Sequence, residues 1–256
     1  MEDYEWFKKK VLAISGIDLN FYRQKQMERR ILSLMDRVGA KNYREYVDLL
    51  AKKSDHYKQF INHITINVSE FFRNPERFGE LEQKILPGLL KKSPRLKIWS
   101  AACSNGSEPY TLAMILEKLA PGRGHRIIAT DIDDNMLAKA KEGVYNINDI
   151  KNVPQQLRDR HFDKNGNEYK IHDSIKQRVD FRHHDLLKDR YESGFDLIVC
   201  RNVVIYFTDE AKLKIYTGFF NSLKTDGYLF VGGTERIHNY KAIGFDNPYP
   251  FFYRHP

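Results

Sequence analysis

A carboxylate, Glu108, stands beside a loop of small residues at the start of a predicted helix. The run is Lys97–Met114, KIWSAACSNGSEPYTLAM. It reads as a short buried strand, a loop whose one glycine is Gly106, and a helix beginning at Pro109. Proline is tolerated at the first helical position because that N–H has no intrahelical partner. Strand, tight turn and helix N-terminus together are how doubly wound α/β domains hold nucleotide-like ligands. A phosphate binder would present bare backbone N–H groups there. A carboxylate repels a pyrophosphate and suits a positively charged ligand. The loop therefore points away from NAD and ATP and towards a sulfonium cofactor, S-adenosylmethionine. The G-x-G-x-x-G pattern of dinucleotide binders is absent.

Three further elements carry polar residues at predicted strand ends. Asp131 closes the run Ile127–Asp133, IIATDID, about 20 residues past the first loop, where an acid can bind both hydroxyls of a ribose. Asp133 and Asp134 read as caps for a helix over Met136–Lys141, and a capping role is the alternative for Asp131. In HDLL, His184–Leu187, Asp185 is placed to accept from an adenine amino group while Leu186 packs on the ring; the alternative is an ordinary polar loop. In FDLIVCRNVVIYF, Phe195–Phe207, a buried strand is followed by Arg201-Asn202, at the end of the sheet where open α/β folds hold ligands. Burying Arg201 without a carboxylate partner would be costly, so it should face the crevice or an acid. The nine histidines show neither H-x-x-x-H spacing nor cysteine partners, so no metal is expected. No Ser-His-Asp set is evident.

The elements that must position these residues fall into two zones. Up to about residue 70 the pattern is helical. Apolar stripes run through Phe7, Val11 and Ile14, closed by Ser15-Gly16; through Met27, Ile31, Leu34 and Val38, closed by Gly39; through Tyr43, Tyr46, Val47 and Leu50, capped by Asn42; and through Tyr57, Phe60, Ile61 and Ile64, capped by Asp55. A fifth helix opens at Asn74-Pro75 and runs through Phe78, Leu81 and Ile85 towards Pro87-Gly88. From about residue 95 strands alternate with helices: Lys97–Ala101, Arg126–Asp131, Val179–His183, Phe195–Cys200, Gly227–Gly232 and Phe251–Arg254. That alternation implies a mostly parallel sheet covered on both faces. Asn165-Gly166, between Phe162 and Tyr169/Ile171, signals a hairpin within a polar stretch of about 144–178. The expected organisation is a helical domain over 1–72, a linker helix over 73–94, and an α/β domain over 95–256 with a small antiparallel β insertion.

Composition narrows the class. Of 256 residues, 41% are hydrophobic and 13% aromatic, which supports a packed core and argues against disorder. The two cysteines, Cys103 and Cys200, lie in apolar stretches and read as buried thiols in a reducing compartment. No signal-like or membrane-spanning apolar run is present, so a cytoplasmic protein is expected. The net charge of +8 implies an acidic partner.

In order, these elements resemble the chemotaxis receptor methyltransferases of the CheR type. The carrying motifs are NVSEFFRNP (Asn67–Pro75), WSAACSNGSEPYTLA (Trp99–Ala113), ATDID, HDLL, CRNVVIYF (Cys200–Phe207) and LKTDGYLFVGGTE (Leu223–Glu235). The resemblance covers nearly the whole chain. It implies a Rossmann-like methyltransferase domain preceded by an all-α domain, S-adenosylmethionine as cofactor, and glutamate side chains on the cytoplasmic coiled coil of chemoreceptors as substrate. It also implies cofactor contacts at Asn67, Ser69, Arg73, Glu108, Asp131, Asp185, Leu186, Arg201 and Asn202. Family members often carry Thr where this chain has Ser69, and the hydroxyl is retained. Arg73 and Tyr206 are the pair expected beside the reacting methyl. A glutamate carboxylate, with a pKa near ~4.3, is already ionised at neutral pH, so no general base is required. Arg73 would hold one carboxylate oxygen while the other attacks, the alternative being a salt-bridged linker residue; Tyr206 would flank the methyl, the alternative being core packing beside Phe207.

Arg23, Arg30 and Arg37 recur at seven-residue spacing along the second helix, beside its apolar stripe. Guanidinium groups so arrayed suit a carboxylate-rich helical surface such as the receptor bundle; the alternative is a solvated helix face. A nucleic-acid methyltransferase would use the positive charge too, but RNVVIYF lacks an N-P-P-Y-like base clamp and no cysteine nucleophile loop is evident. A silent adapter that only binds cofactor is disfavoured by the intact Arg73, Glu108, Asp131 and Tyr206. The expected protein is a monomer that binds no nucleic acid and meets membranes only through receptors.

Overall fold

The structure is a computed structural model and describes residues 2–52, 55–65, 67 and 69–256. The chain forms two compact units. One holds Met1–Asn67 and Val204–Lys214, the other Val68–Val203 and Ile215–Pro256.

In the first unit, helices α1 (Glu2–Ser15), α2 (Gln24–Arg37), α3 (Tyr43–Ala51) and α4 (Asp55–Thr65) bury the apolar stripes. Phe7, Val11, Met27, Ile31, Leu34, Tyr46, Leu50, Phe60 and Ile64 are all buried. The Phe7 ring lies 4.9 Å from Tyr43 and 6.1 Å from Tyr46, knitting α1 to α3. Gly16, at φ 76°, ends α1 as expected, its N–H donating to Leu12 O. Asn42 caps α3 by accepting from Glu45 N. Asp55 is the first residue of α4 rather than its cap, and residues 53–54 before it lie outside the described residues.

The second unit is a seven-stranded sheet in the order β6-β2-β1-β7-β8-β10-β9. Its parallel strands are β1 (Lys97–Ala101), β2 (Arg126–Asp131), β6 (Val179–His183), β7 (Phe195–Cys200) and β8 (Leu223–Val231). The antiparallel edge is β9 (Asp246–Tyr249) and β10 (Phe252–Arg254). Four of these strands, β1, β2, β6 and β7, coincide with the sequence reading; β1, β2 and β7 are covered on both faces and so are near-continuous apolar runs, while β6 lies at the edge. Strand β8 starts earlier than expected, and its register against β7 shifts where Asp226 turns left-handed at φ 64°. Gly227 follows because a Cβ there would meet Lys224 O at 2.8 Å. Phe251 is not in the last strand; its φ of 69° takes it out of extended geometry.

The fifth helix runs on past Pro87-Gly88. It continues from α5 (Pro75–Glu80) through a π turn (Leu81–Ile85) into α6 (Leu86–Lys92). Leu86 N donates to Leu81 O, an i→i−5 bond, and the proline falls in the first turn after it. The widened turn absorbs a residue whose missing N–H would otherwise break the ladder. Helices α7 (Ser107–Leu119) and α8 (Asp134–Glu142) belong to the wound layers, and the helix Asp209–Ser222 has its first residues in the helical unit and the rest, from Ile215, in this one. The insertion is a three-stranded antiparallel sheet of β3 (Val144–Asn146), β5 (Glu168–Ile171) and β4 (Phe162–Asn165), in the order β3-β5-β4. Asn165 pairs with Glu168, so the hairpin turn is Gly166-Asn167, one residue later than expected. Gly166 at φ 59° supplies the positive φ that the first turn position of a type II′ hairpin needs.

Candidate functional site

Strand order reverses between β1 and β7: from β1 the chain winds out to β2 and β6, from β7 out to β8. Loops leaving the carboxyl ends of two such strands diverge and leave a crevice. The loop after β1 holds Ala102–Gly106, and the turn after β7 holds Arg201-Asn202.

Glu108 lies in the first turn of α7, which begins at Ser107, two residues before the expected start. Pro109 is thereby the third helical residue, still among the N–H positions without intrahelical acceptors. Glu108 accepts from Ser100 Oγ at 2.8 Å and faces Arg201, whose Nη1 lies 3.7 Å from Glu108 Oε2. Burial pushes the Glu108 carboxyl above its ordinary range, and the Arg201 charge opposes that. Arg201 is thus buried against an acid, one of the two settings the sequence allowed. Its hydrogen bonds, however, go elsewhere: Nη2 donates to Arg73 O at 2.7 Å and to Asn74 Oδ1 at 2.9 Å. The guanidinium also lies 5.0 Å from the Phe78 ring and 4.8 Å from the Phe230 ring. Arg201 therefore pins the FFRNP segment to the end of β7. Phe71 and Phe72 anchor the same segment. Phe71 packs edge-on against Tyr145 and Phe162, and Phe72 N donates to Thr111 Oγ1 at 3.1 Å.

Asp131 is buried and joins two loops. Its Oδ2 accepts from Ser104 N at 2.7 Å, and its Oδ1 from Asp133 N at 2.9 Å. Burial pushes its carboxyl up to about 6, against the two N–H bonds that favour the ionised form. Asp133 takes the capping role, accepting from Asn135 N and Met136 N at the start of α8. Asp185 Oδ1 accepts from Leu187 N at 2.8 Å, so the HDLL loop is an Asx turn, and Leu186 is buried. Gly106, at φ 85°, admits no side chain: a Cβ would meet Ala140 Cβ at 2.8 Å.

Asn202 stands at φ 61°. Its backbone N–H donates to Glu235 Oε2 at 2.6 Å, while its own Oδ1 is buried and accepts no hydrogen bond among the described residues. Glu235 ends the GGTE run that the sequence reading quoted without assigning a role. The signal available was the acid itself, closely following a strand end and a glycine pair.

Five non-glycine residues of this second unit hold left-handed backbone around these loops: Phe72 (φ 51°), Asn74 (59°), Ala102 (58°), Ser104 (50°) and Asn202 (61°). Each such conformation costs of order 1–3 kcal/mol and persists only where its surroundings over-determine it. Ala102, Ser104 and Asn202 lie in the loops that leave β1 and β7, the two strands between which the order reverses, and Phe72 and Asn74 in the segment that Arg201 holds.

Ser69 is half-buried. Asn67 belongs to the helical unit and donates to Thr65 Oγ1 at 2.8 Å. Tyr206 also belongs to the helical unit. Its carbonyl accepts from Arg23 N at 3.0 Å, Thr208 N donates to Phe21 O at 2.8 Å, and the rings of Tyr22 and Phe207 meet at 4.9 Å. Of the three arginines, Arg23 and Arg37 are exposed, and Arg23 lies 3.8 Å from Asp209. Arg30 is half-buried and donates through Nε and Nη2 to His63 O, joining α2 to α4. Burial, with Arg30 and Arg37 nearby, holds the His63 imidazole below its ordinary range. Among the described residues, no group of three or more His, Cys, Asp or Glu is arranged to hold a metal.

Two family models match the chain. Residues 67–246 match "CheR methyltransferase, SAM binding domain", and residues 2–65 match "CheR methyltransferase, all-alpha domain". Curated relatives agree along the length. A chemotaxis protein methyltransferase of Listeria monocytogenes is 43% identical over 98% of this chain and 97% of its own. One from Listeria innocua is 42% identical over 98% and 97%. One from Borreliella burgdorferi is 34% identical over 91% and 87%.

Proposed function

The chain belongs to the CheR methyltransferase family, and from that premise we propose that it moves a methyl group from S-adenosylmethionine to the γ-carboxylate of glutamates on the cytoplasmic helical region of chemoreceptors, forming methyl esters. The observation that carries the cofactor reading is the acidic set at the crevice. Glu108, in the first turn of α7, and Asp131, at the carboxyl end of β2, are both poorly solvated. Such carboxylates suit a cationic ligand bearing ribose hydroxyls. The unpartnered acceptor Asn202 Oδ1 fits a ligand rich in O–H and N–H donors. When bound, S-adenosylmethionine supplies a methyl group activated by a sulfonium. The chain's own work is then alignment and exclusion of water, which supply up to roughly 7–11 kcal/mol in favourable systems. Arg73, held at its carbonyl by Arg201, would orient the acceptor carboxylate. No residue need take a proton, because the acceptor is already ionised. The part proposed for Tyr206 rests on its sequence motif. The test is transfer of labelled methyl to receptor-bearing membranes. Label released by mild alkali as methanol supports a carboxyl ester; alkali-stable label overturns it.

Asp131 makes cofactor binding pH-dependent. Its raised folded value means that ionising the buried carboxyl penalises the native state as pH climbs from the ordinary aspartate range through about 6. A ligand whose hydroxyls donate to it prefers the ionised form. Affinity should therefore be full above about 6 and fall below it, by up to roughly tenfold per pH unit. Titration calorimetry from pH 5 to 8, as ~1-unit steps, reads this. Asp131→Asn should bind more weakly and lose the pH dependence; an equally steep profile in that variant assigns the titration to another group.

The helical unit is proposed to meet the receptor through Arg23, Arg30 and Arg37. Interface charges act on association rate and salt dependence more than on chemistry. Arg30→Glu should raise the apparent KM for receptor and leave cofactor affinity intact. Added salt should weaken the wild type more than the variant, since screening already acts beyond roughly 8 Å at physiological ionic strength. Equal methylation kinetics across salt concentrations would make this stripe a solvated face.

A further inference from the structure

Strands β7 and β8 run parallel until Cys200 pairs with Val231, and there the ladder stops. Beyond it the backbone N–H groups of Asn202, Val203 and Gly232 point into the interior with no neighbouring strand to receive them. Buried N–H groups without acceptors are rare because each costs a full desolvation penalty. One side chain resolves all three. Glu235, only 3% exposed, accepts from Asn202 N (2.6 Å) and Gly232 N (2.7 Å) at Oε2, and from Val203 N (2.8 Å) at Oε1. Its own N–H donates to Gly232 O at 2.9 Å, so the GGTE turn folds the carboxylate back over the strand ends.

The room for this clamp is made by Gly232. A Cβ there would lie 2.6 Å from Glu235 Oε2 and 2.8 Å from Asn202 N. The clamp also fixes a conformation that asparagine does not adopt for free. Asn202 sits at φ 61°, and the bond from its N–H to Glu235 is what over-determines that geometry. The left-handed turn sets the direction of the Asn202 side chain, whose buried Oδ1 awaits a donor. The charge of Glu235 is also felt by its neighbours: it favours the protonated Arg201 and opposes ionisation of Glu108.

We propose that Glu235 is a positioning residue of the cofactor crevice, its buried carboxylate holding the turn after β7 so that Asn202 is presented to the cofactor. The inference rests on the reading of the crevice as the S-adenosylmethionine site. It assigns Glu235 no contact with the reacting atoms. Glutamine cannot replace it, since the three N–H groups need acceptors on both terminal atoms and an amide offers one oxygen.

The test is a double-variant cycle read by titration calorimetry with S-adenosylhomocysteine, with thermal midpoints recorded alongside. Glu235→Gln should weaken binding by about tenfold or more. Asn202→Ala should do likewise. The two together should cost little beyond Asn202→Ala alone, because Glu235 acts through the side chain already removed. A merely fold-holding Glu235 would lower the thermal midpoint and leave affinity at the wild-type value, or its effect would multiply with that of Asn202→Ala; either result overturns the proposal. Should Glu235→Gln not fold, Glu235→Asp carries the same cycle, keeping both oxygens but withdrawing them by one methylene. Intermediate affinity and the same non-additivity are then expected, and additive losses overturn it. Asp131→Ala keeps the two readings apart. If Asp131→Ala and Asn202→Ala both bind as wild type, the crevice is not the cofactor site. If both weaken while the Glu235 variant does not, the positioning role alone fails.

Discussion

Arg201→Ala is expected to lower folding stability by about 3–5 kcal/mol, the scale for removing one partner of a buried ion pair. The side chain is 2% exposed, and Glu108 opposite is 13% exposed. Its removal strands that carboxylate in a poorly solvated site. It also deletes the two hydrogen bonds to Arg73 O and Asn74 Oδ1 and the cation stacked between Phe78 and Phe230. Denaturant unfolding followed by circular dichroism reads the loss. The sign with pH follows from Glu108. Its carboxyl is already raised by burial, and without the Arg201 charge it rises further. A carboxyl raised in the folded state penalises folding once pH exceeds its unfolded value, so the variant's deficit should grow as pH climbs through the carboxylate range. Replacing both partners, Arg201→Met with Glu108→Gln, should recover much of the stability because no orphan charge remains. A single-variant cost below about 1 kcal/mol would place the pair in the weak, solvated class instead.

Arg73→Ala should lower kcat by about a hundredfold while changing S-adenosylhomocysteine affinity far less. Misplacing a reacting group by an ångström costs rates on this order. The backbone around residue 73 is held by groups the substitution leaves in place: Arg201 on its carbonyl, and the buried rings of Phe71 and Phe72 before it. The variant therefore tests the guanidinium rather than the loop. Arg73→Lys should recover only part of the rate, since an ammonium lacks the planar fork that holds a carboxylate. Tyr206→Phe separates the hydroxyl from the ring in the same assay. Wild-type turnover in both Arg73→Ala and Tyr206→Phe would move the reacting centre elsewhere.

Within the fold, agreement between sequence and structure follows the physics of each element. Strands β1, β2 and β7 were legible to the residue because strands buried on both faces are near-continuous apolar runs; the edge strand β6, VDFRH, showed instead by its alternating Val179 and Phe181. Pro87-Gly88 is a local stop signal, yet the helix that opens at Pro75 continues to Lys92. A π turn widens the backbone just before Pro87 and lets the helix continue. The turn at Gly166-Asn167 slipped by one residue because Asn-Gly and Gly-Asn are both good hairpin pairs, and only register against the partner strand chooses between them.

The sequence by itself determined the two architectures, the helical and the wound α/β, through the period of their apolar residues. It also determined that Asp131, Asp185, Arg201 and Asn202 would fall at or just past strand ends, and that Glu108 would stand at the helix start after β1. The tertiary structure alone decided what those residues face. Arg201 pairs with Glu108 but spends its hydrogen bonds on the Arg73 carbonyl and the Asn74 side chain, 127–128 positions away in the chain. Glu235 closes on Asn202 and Val203 from 32–33 positions away. The residues around Tyr206 pair with Phe21 to Arg23, near the other end of the chain. Hydrophobic periodicity is a local property, repeated every few residues. The satisfaction of a buried charge or N–H group is not local: it depends on which loops the sheet order brings side by side, and that order exists only once the strands have paired.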